Sequence, residues 1–289
     1  MSIKLIAVDM DGTFLNSQGD YARARFANQY QQMKQQGIKF VVASGNQYYQ
    51  LKSFFPEIDA DIAYVAENGG YIVDRQQEVY CGRLAPDDVN RVIATIGAMT
   101  GVRFLVCGKK GAYMLSSAGE DFFADMRVFY HHLDRVDDYA QIDDTVFKFA
   151  LGFHQPDVSE LMVNIQQELG DIVVPVSSGH GSVDLIIPGN HKANGVKRIQ
   201  QRYGIEDNEV LAFGDGGNDL EMLRHAGFGF AMSNGSEAAK AAASYLAPSN
   251  DEEGVLQVIE RCLSGESLFR GSRSNDVKNH AKRLIHCLY

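Results

Sequence analysis

Apolar positions fall into short unbroken runs that alternate with longer stretches of helical spacing. Residues 3–8 are apolar except for Lys4, the pattern of a strand covered on both faces. Residues 11–20 are rich in turn formers. Residues 21–36 then carry a helical pattern, with Asp20 as the expected N-cap and Gly37 as the stop. Strand runs follow at 38–43 and 62–66, separated by a helix over 47–55 that Pro56 closes. This β-α-β-α-β order predicts a parallel sheet with helices on both faces.

The pattern changes near residue 71. A hairpin is expected from 71–73 and 78–81. Strands at 104–107, 146–153, 173–176 and 183–187 and helices at 87–99 and 159–169 then come in less regular order, up to the turn Pro188-Gly189. The first style resumes with a helix at 193–202, a strand at 210–213, a helix at 219–225 and short strands at 227–231 and 245–247. The alanine-rich stretch 238–243 is a helix former. The expected fold is α/β: a Rossmann-like parallel-sheet core over 1–83 and 189–270, interrupted by an inserted α/β domain over 84–188. Residues 271–289 carry Arg273, Lys278, Lys282 and Arg283 against Asp276. That tail reads either as a native basic helix or as a non-native or disordered extension after Gly271-Ser272.

Composition narrows the function classes. The chain has 289 residues, 45% hydrophobic and 22% charged, which suits a globular protein of two domains. Lys and Arg number 27 against 37 Asp and Glu, a net −10, so no global attraction for nucleic acid or an anionic membrane is expected. No apolar run reaches bilayer length, and Asp9 and Asp11 break the first one, so neither a membrane span nor a signal peptide is expected. Cys81, Cys107, Cys262 and Cys287 are scattered without a CxxC, which points to reduced thiols, not a zinc or disulfide framework, and to the cytoplasm. A small-molecule partner and a monomer or weak oligomer are the expectation.

The candidate chemistry gathers at strand ends, where parallel α/β sheets bind ligands. Asp9-Met10-Asp11-Gly12-Thr13 directly follows the first strand. Two carboxylates there converge at an electrostatic cost unless a cation lies between them, although Asp and Gly also serve ordinary turns. A second acidic cluster, Gly214-Asp215-Gly216-Gly217-Asn218-Asp219, follows the strand at 210–213. Its Asp219 has a bland alternative as a helix cap. Oxygen ligands from Asp9 and Asp215 suit Mg²⁺, a hard cation that keeps several waters. Ser44, Gly45 and Asn46 offer a hydroxyl and amides for an anion, or an ordinary N-cap turn. Lys192 opens a helix, where a cation opposes the dipole: either a bound anion accounts for it or it is a solvated surface lysine.

Taken together, these motifs resemble those of the haloacid dehalogenase-like phosphohydrolases. The stretches at 9–15, 66–70, 191–195 and 214–219 look like the Cof-type subfamily, which carries a large α/β cap, and residues 40–55 are similar to a bacterial sugar phosphatase of that subfamily. Many Cof-type relatives have Thr-Gly-Arg where this chain has Ser44-Gly45-Asn46. The resemblance implies a Mg²⁺-dependent sugar phosphatase with an aspartyl-phosphate intermediate. It implies Asp9 as nucleophile and metal ligand, and Asp11 as acid/base with its backbone carbonyl on the metal. Asp215 would be the further metal ligand. Ser44, Gly45 and Lys192 would hold phosphoryl oxygens, and Asn218 would orient the phosphate or Lys192. Asp219 would support the metal's waters, and Thr13 would fix the first loop.

Two other functions stay open at this point: a capped phosphomutase, for which Lys109-Lys110 would grip a second phosphate, and a non-catalytic sugar-phosphate sensor. His131-His132 reads as surface of the inserted domain. Tyr48, Tyr49, Phe54 and Phe55 read as a helix packing face, with Tyr48 the one that would face the inserted domain. Gly179-His180-Gly181 reads as a mobile loop reaching the site or as a hairpin turn.

Overall fold

The computed structural model describes residues 2–152, 158–179 and 182–265. The N-terminal part forms β1 (Leu5–Val8), α1 (Arg23–Gln35), β2 (Lys39–Ala43), α2 (Tyr48–Ser53), β3 (Ala63–Ala66), β4 (Tyr71–Asp74) and β5 (Gln77–Cys81). The middle forms α3 (Pro86–Gly97), β6 (Arg103–Gly108), β7 (Ala112–Leu115), α4 (Glu120–Met126), β8 (Leu133–Val136), β9 (Val146–Gly152), α5 (Ser159–Leu169), β10 (Val174–Gly179) and β11 (Ser182–Ile186). The last part forms α6 (Lys192–Tyr203), β12 (Val210–Gly214), α7 (Leu220–His225), β13 (Phe228–Met232), α8 (Glu237–Ala242), β14 (Tyr245–Ala247) and α9 (Gly254–Leu263). Phe153, His180, Gly181, Cys287 and the whole tail 271–289 lie outside the described residues. No helix among the described residues is long and apolar enough to cross a membrane.

The chain forms two compact units. The first contains, among the described residues, 2–40, Gly204–Asp215 and 219–265. Its strands lie in the order β14-β13-β12-β1, all parallel, with Leu5 opposite Val210 and Val8 opposite Phe213. Every residue of β1 is fully buried, which is why its run is unbroken rather than alternating. Helix α1 buries Phe26, Gln29, Tyr30 and Met33, the spacing of a single helical stripe, and packs on α9. The Gln29 side chain donates to the Leu256 carbonyl at 2.8 Å. The expected cap at Asp20 is not formed. Ala22 holds the N-cap position, because the Asp20 carboxylate instead accepts from the Tyr21 amide at 2.9 Å and pairs with Arg23 at 2.9 Å.

The second unit contains Val41–Tyr203 and Gly216–Asn218. Here β2 and β3 are parallel, and β4 and β5 add the expected hairpin antiparallel to β3. A separate six-stranded sheet, β10-β11-β9-β6-β7-β8, is antiparallel except for β7 beside β8. Helices α3 and α5 bury Val92, Ile96, Ile165 and Leu169 against the apolar side chains of that sheet. Helix α6 meets β3 through Gly195, where a Cβ would come 2.2 Å from Val65 Cγ1. Val65 is fully buried and short, so it cannot swing aside. Gly195→Ala should therefore cost about 1–3 kcal/mol by overpacking. A urea melt with an unchanged midpoint would show that α6 moves away freely.

Candidate active site

In the first unit the acidic groups converge. The chain leaves buried β1 at Asp9 and enters a wide turn over Met10–Phe14, broken at Asp11 and at Gly12, whose φ of +74° suits glycine. Phe14 anchors the far end of that turn, its ring 5.1 Å from Phe26 and 5.8 Å from Phe40. Asn234 donates to the Gly12 carbonyl at 2.8 Å. A Cβ at Gly12 would come 2.6 Å from Asp215 Oδ2, so the glycine also makes room for the second acidic loop.

Asp9, Asp215 and Asp219 each present a carboxylate oxygen within 4.8 Å of the others. Asp9 and Asp219 are buried, whereas Asp215 is half-buried and Asp11 is exposed. Thr13 donates to Asp215 Oδ1 at 2.7 Å, which fixes that carboxylate from the first loop. Asp219 stands at the N-cap position of α7 but makes no cap bond. Its Oδ2 accepts from the Asp215 amide at 3.0 Å, and its backbone is already helical, so the capping alternative is replaced by support of the second loop. Three carboxylates this close repel one another strongly unless a cation or proton compensates. The donors are all oxygen, with no Cys or His in the group, which fits a hard divalent cation such as Mg²⁺.

In the second unit a polar cluster forms around the loop after β2. Ser44 Oγ accepts from the Asn46 amide at 3.1 Å, and the Ser44 carbonyl accepts from the Asn68 amide at 2.9 Å. The Asn46 carbonyl accepts from the Glu67 amide at 3.1 Å. Asn68 holds its neighbours on two sides: its Nδ2 donates to Asp184 Oδ2 at 2.6 Å, and its Oδ1 accepts from Asn218 Nδ2 at 3.0 Å. A Cβ on Gly45 would sit 3.1 Å from Asn68 Nδ2 and 3.2 Å from Asp184 Oδ2. Ser44, Gly45 and Asn218 thus gather around Asn68, Ser44 at its backbone amide and the other two at its side chain. Lys192 is the first residue of α6 and only 1% exposed, so the surface-lysine alternative falls; its positive charge also favours the ionised form of Asp184.

The residues least visible in the sequence complete that cluster. Lys148, fully buried on β9, places Nζ 2.7 Å from the Gly45 carbonyl, 3.0 Å from the Tyr130 hydroxyl, 2.5 Å from Glu67 Oε2 and 3.3 Å from Asp184 Oδ2. Burial works against the ammonium, but Asp184 and Glu67 outweigh it and hold Lys148 well above the usual lysine range. Burial pushes both carboxyls up, against the pull of Lys148. Glu67 and Asn68 both adopt φ of +53°, a left-handed conformation rare outside glycine. The available signal was a charged residue inside an otherwise apolar strand run: Lys148 in VFKFALG and Asp184 in SVDLI.

Other sequence candidates resolve into packing. Tyr48 is buried against Tyr64 and Tyr71, at ring distances of 5.4 and 5.6 Å. Tyr49, not Tyr48, reaches the segment expected to be inserted: it stacks on His132 at 3.7 Å and donates to the Lys109 carbonyl at 3.1 Å. His131 and His132 are exposed. Lys109 pairs with Glu78 at 2.6 Å and Lys110 with Asp143 at 3.1 Å. In the Gly179-His180-Gly181 segment, His180 and Gly181 lie outside the described residues.

Known proteins resemble the chain over most of its length. A family model described as haloacid dehalogenase-like hydrolase matches residues 6–259. The chain is 51% identical over 269 residues to the 5-amino-6-(5-phospho-D-ribitylamino)uracil phosphatase YbjI of Escherichia coli (strain K12), covering 93% of this chain and 99% of that protein. It is 25% identical to a phosphatase of the same description, YitU, of Bacillus subtilis (strain 168), covering 90% and 97%. The crystal structure of SMU.1108c from Streptococcus mutans UA159 superposes with a TM-score of 0.88 at 34% identity, covering 91% of this chain and all of that one.

Proposed function

Because the chain belongs to the haloacid dehalogenase-like hydrolases, and is an enzyme of that phosphatase family, we propose that it hydrolyses small sugar phosphates through a phosphorylated Asp9, with Mg²⁺ as cofactor, in the cytoplasm. The observation that carries the reading is the acidic cluster of Asp9, Asp215 and Asp219 at the ends of β1 and β12. Mg²⁺ would be held by Asp9, the Asp11 carbonyl and Asp215, with Asp219 supporting its waters, and it would supply positive charge against the phosphoryl group.

The chain's own residues carry the bond changes. An Asp9 carboxylate oxygen attacks phosphorus, and the bond from phosphorus to the ester oxygen breaks. Asp11, exposed beside buried Asp9, gives its proton to the leaving alcohol oxygen. It then takes a proton from a water whose oxygen attacks the phosphorus of the aspartyl phosphate, which frees inorganic phosphate and restores Asp9. Ser44, Gly45 and Lys192 hold phosphoryl oxygens, and Asn218, steadied by Asn68, orients the phosphate. Residues 84–188 act as the cap that selects the alcohol.

One observation favours a narrower substrate. The relative that is 51% identical is described by its action on a ribitylaminouracil phosphate, a sugar-alcohol phosphate attached to a pyrimidine. The mutase reading loses its motive, because Lys109 and Lys110 each face a carboxylate. The test is phosphate release with Mg²⁺ over sugar phosphates, the ribitylaminouracil phosphate, nucleotides and para-nitrophenyl phosphate. The expected result is turnover with the highest kcat/KM on a sugar or sugar-alcohol phosphate. Release from none of them overturns the reading, and a preference for nucleotides overturns the substrate class.

A further inference from the structure

Lys148 is a buried charge with no part in the reaction as described so far. Stability does not require such a group, since apolar residues of the same volume commonly serve a fold as well as a buried ion pair does. Its contacts point elsewhere. The ammonium donates to the Gly45 carbonyl at 2.7 Å, and that carbonyl shares a planar peptide with the Asn46 amide. The Asn46 N–H in turn donates to Ser44 Oγ at 3.1 Å. A hydroxyl that accepts on this side has its own O–H to donate on another.

We propose that Lys148 is a positioning residue for phosphoryl transfer: by fixing the 45–46 peptide it aims the Ser44 hydroxyl at a phosphoryl oxygen of the substrate. This rests on the phosphatase reading and on Ser44 as a phosphoryl donor. The ammonium also polarises the peptide, which strengthens the Asn46 N–H as a donor. The same ammonium lies 3.3 Å from Asp184 Oδ2, the oxygen that receives Asn68 Nδ2. That orients the Asn68 amide so that its Oδ1 receives Asn218. One buried cation thus sets two polar groups of the second unit, Ser44 directly through a peptide and Asn218 through two side chains. The carbonyls of Ser44 and Asn46 are held by backbone amides of Asn68 and Glu67. The Gly45 carbonyl, between them, is held by a side chain.

The test is a double-mutant cycle on kcat/KM for para-nitrophenyl phosphate with Mg²⁺. Ser44→Ala should lose about 10- to 100-fold, the worth of one hydrogen bond to a charged group. Lys148→Met should lose a similar factor, chiefly in kcat, and Lys148→Arg a smaller one. The pair Ser44→Ala with Lys148→Met should fall no more than about threefold below Ser44→Ala alone, because Lys148 acts chiefly through the Ser44 hydroxyl, while Asn218 keeps its bond to Asn68 and Asn68 its bond to Asp184 without the ammonium. Losses that multiply overturn the proposal, as does a Lys148→Met enzyme with parental kcat. Lys148→Met strands two buried carboxylates, so it is also made with Glu67→Gln and Asp184→Asn, and the cycle is repeated with the charge-preserving Lys148→Arg; melting curves check each fold. A parent enzyme without turnover would instead refute the phosphatase reading, which separates the two failures.

Discussion

Asp9→Asn should fold as the parent does and release phosphate at no more than about 10⁻⁴ of its rate, the scale on which losing a nucleophile acts. The carboxamide has the volume of the carboxylate, so the buried site at the end of β1 keeps its packing. Its oxygen is a poor nucleophile toward phosphorus, and no neighbour in the cluster replaces it: the Asp215 carboxylate is tied to Thr13, and Asp219 to the Asp215 amide. Electrostatics gives the substitution a second signature. Carboxylates within 4.8 Å repel by on the order of 3–4 kcal/mol per pair at an effective dielectric near 20. Removing one charge should therefore leave the melting temperature in EDTA equal to or above that of the parent. Phosphate release within tenfold of the parent would remove Asp9 from the nucleophile's role. A collapse of the melting temperature would mean that the carboxylate serves the fold.

The acidic loops were legible in the sequence because their chemistry is local. Asp9, Asp11 and Thr13 stand within five residues, Asp215 and Asp219 within another five, and each group directly follows an apolar run that reads as a strand. The strands β1, β3 and β12 were readable for the same reason: buried on both faces, they carry no polar interruption. What stayed hidden depends on contacts distant in sequence. Glu67 lies in the 66–70 stretch, but nothing local ties it to Lys148 on β9 or Asp184 on β11, and the role of each depends on groups brought from distant segments. Strand β8 was missed because Asp134 and Arg135 at its centre are exposed, so it lacks an apolar run. The Asp20 cap failed over two residues, since a carboxylate at a turn can serve the amide beside it as readily as a helix start. Tyr48 and Tyr49 show the limit of pattern reading: adjacent aromatic residues on one short helix face opposite tasks, one packing inward on Tyr64 and the other stacking on His132.

Asp215→Asn gives the second large effect, and it reads the metal without relying on turnover. The amide keeps an oxygen that accepts from Thr13, so the link between the two acidic loops survives. What is lost is one negative charge from a three-carboxylate group. A hard cation that retains most of its waters depends on such charges for its affinity. The half-saturating Mg²⁺ concentration should rise at least about 100-fold, beyond the 10–100-fold typical of residues that only support a ligand. Binding to the folded state stabilises it by mass action, so the parent's melting temperature should climb with added Mg²⁺ over EDTA. The variant's should stay flat over the same range while starting at or above the parent in EDTA, because its cluster repels itself less. Opposite signs in the two media separate a metal ligand from a structural carboxylate. Loss of a structural group lowers stability with and without metal, whereas loss of a ligand lowers only the increment that metal adds. An unchanged Mg²⁺ requirement would take Asp215 out of the ligand set and leave Asp9 and Asp219 to hold the ion.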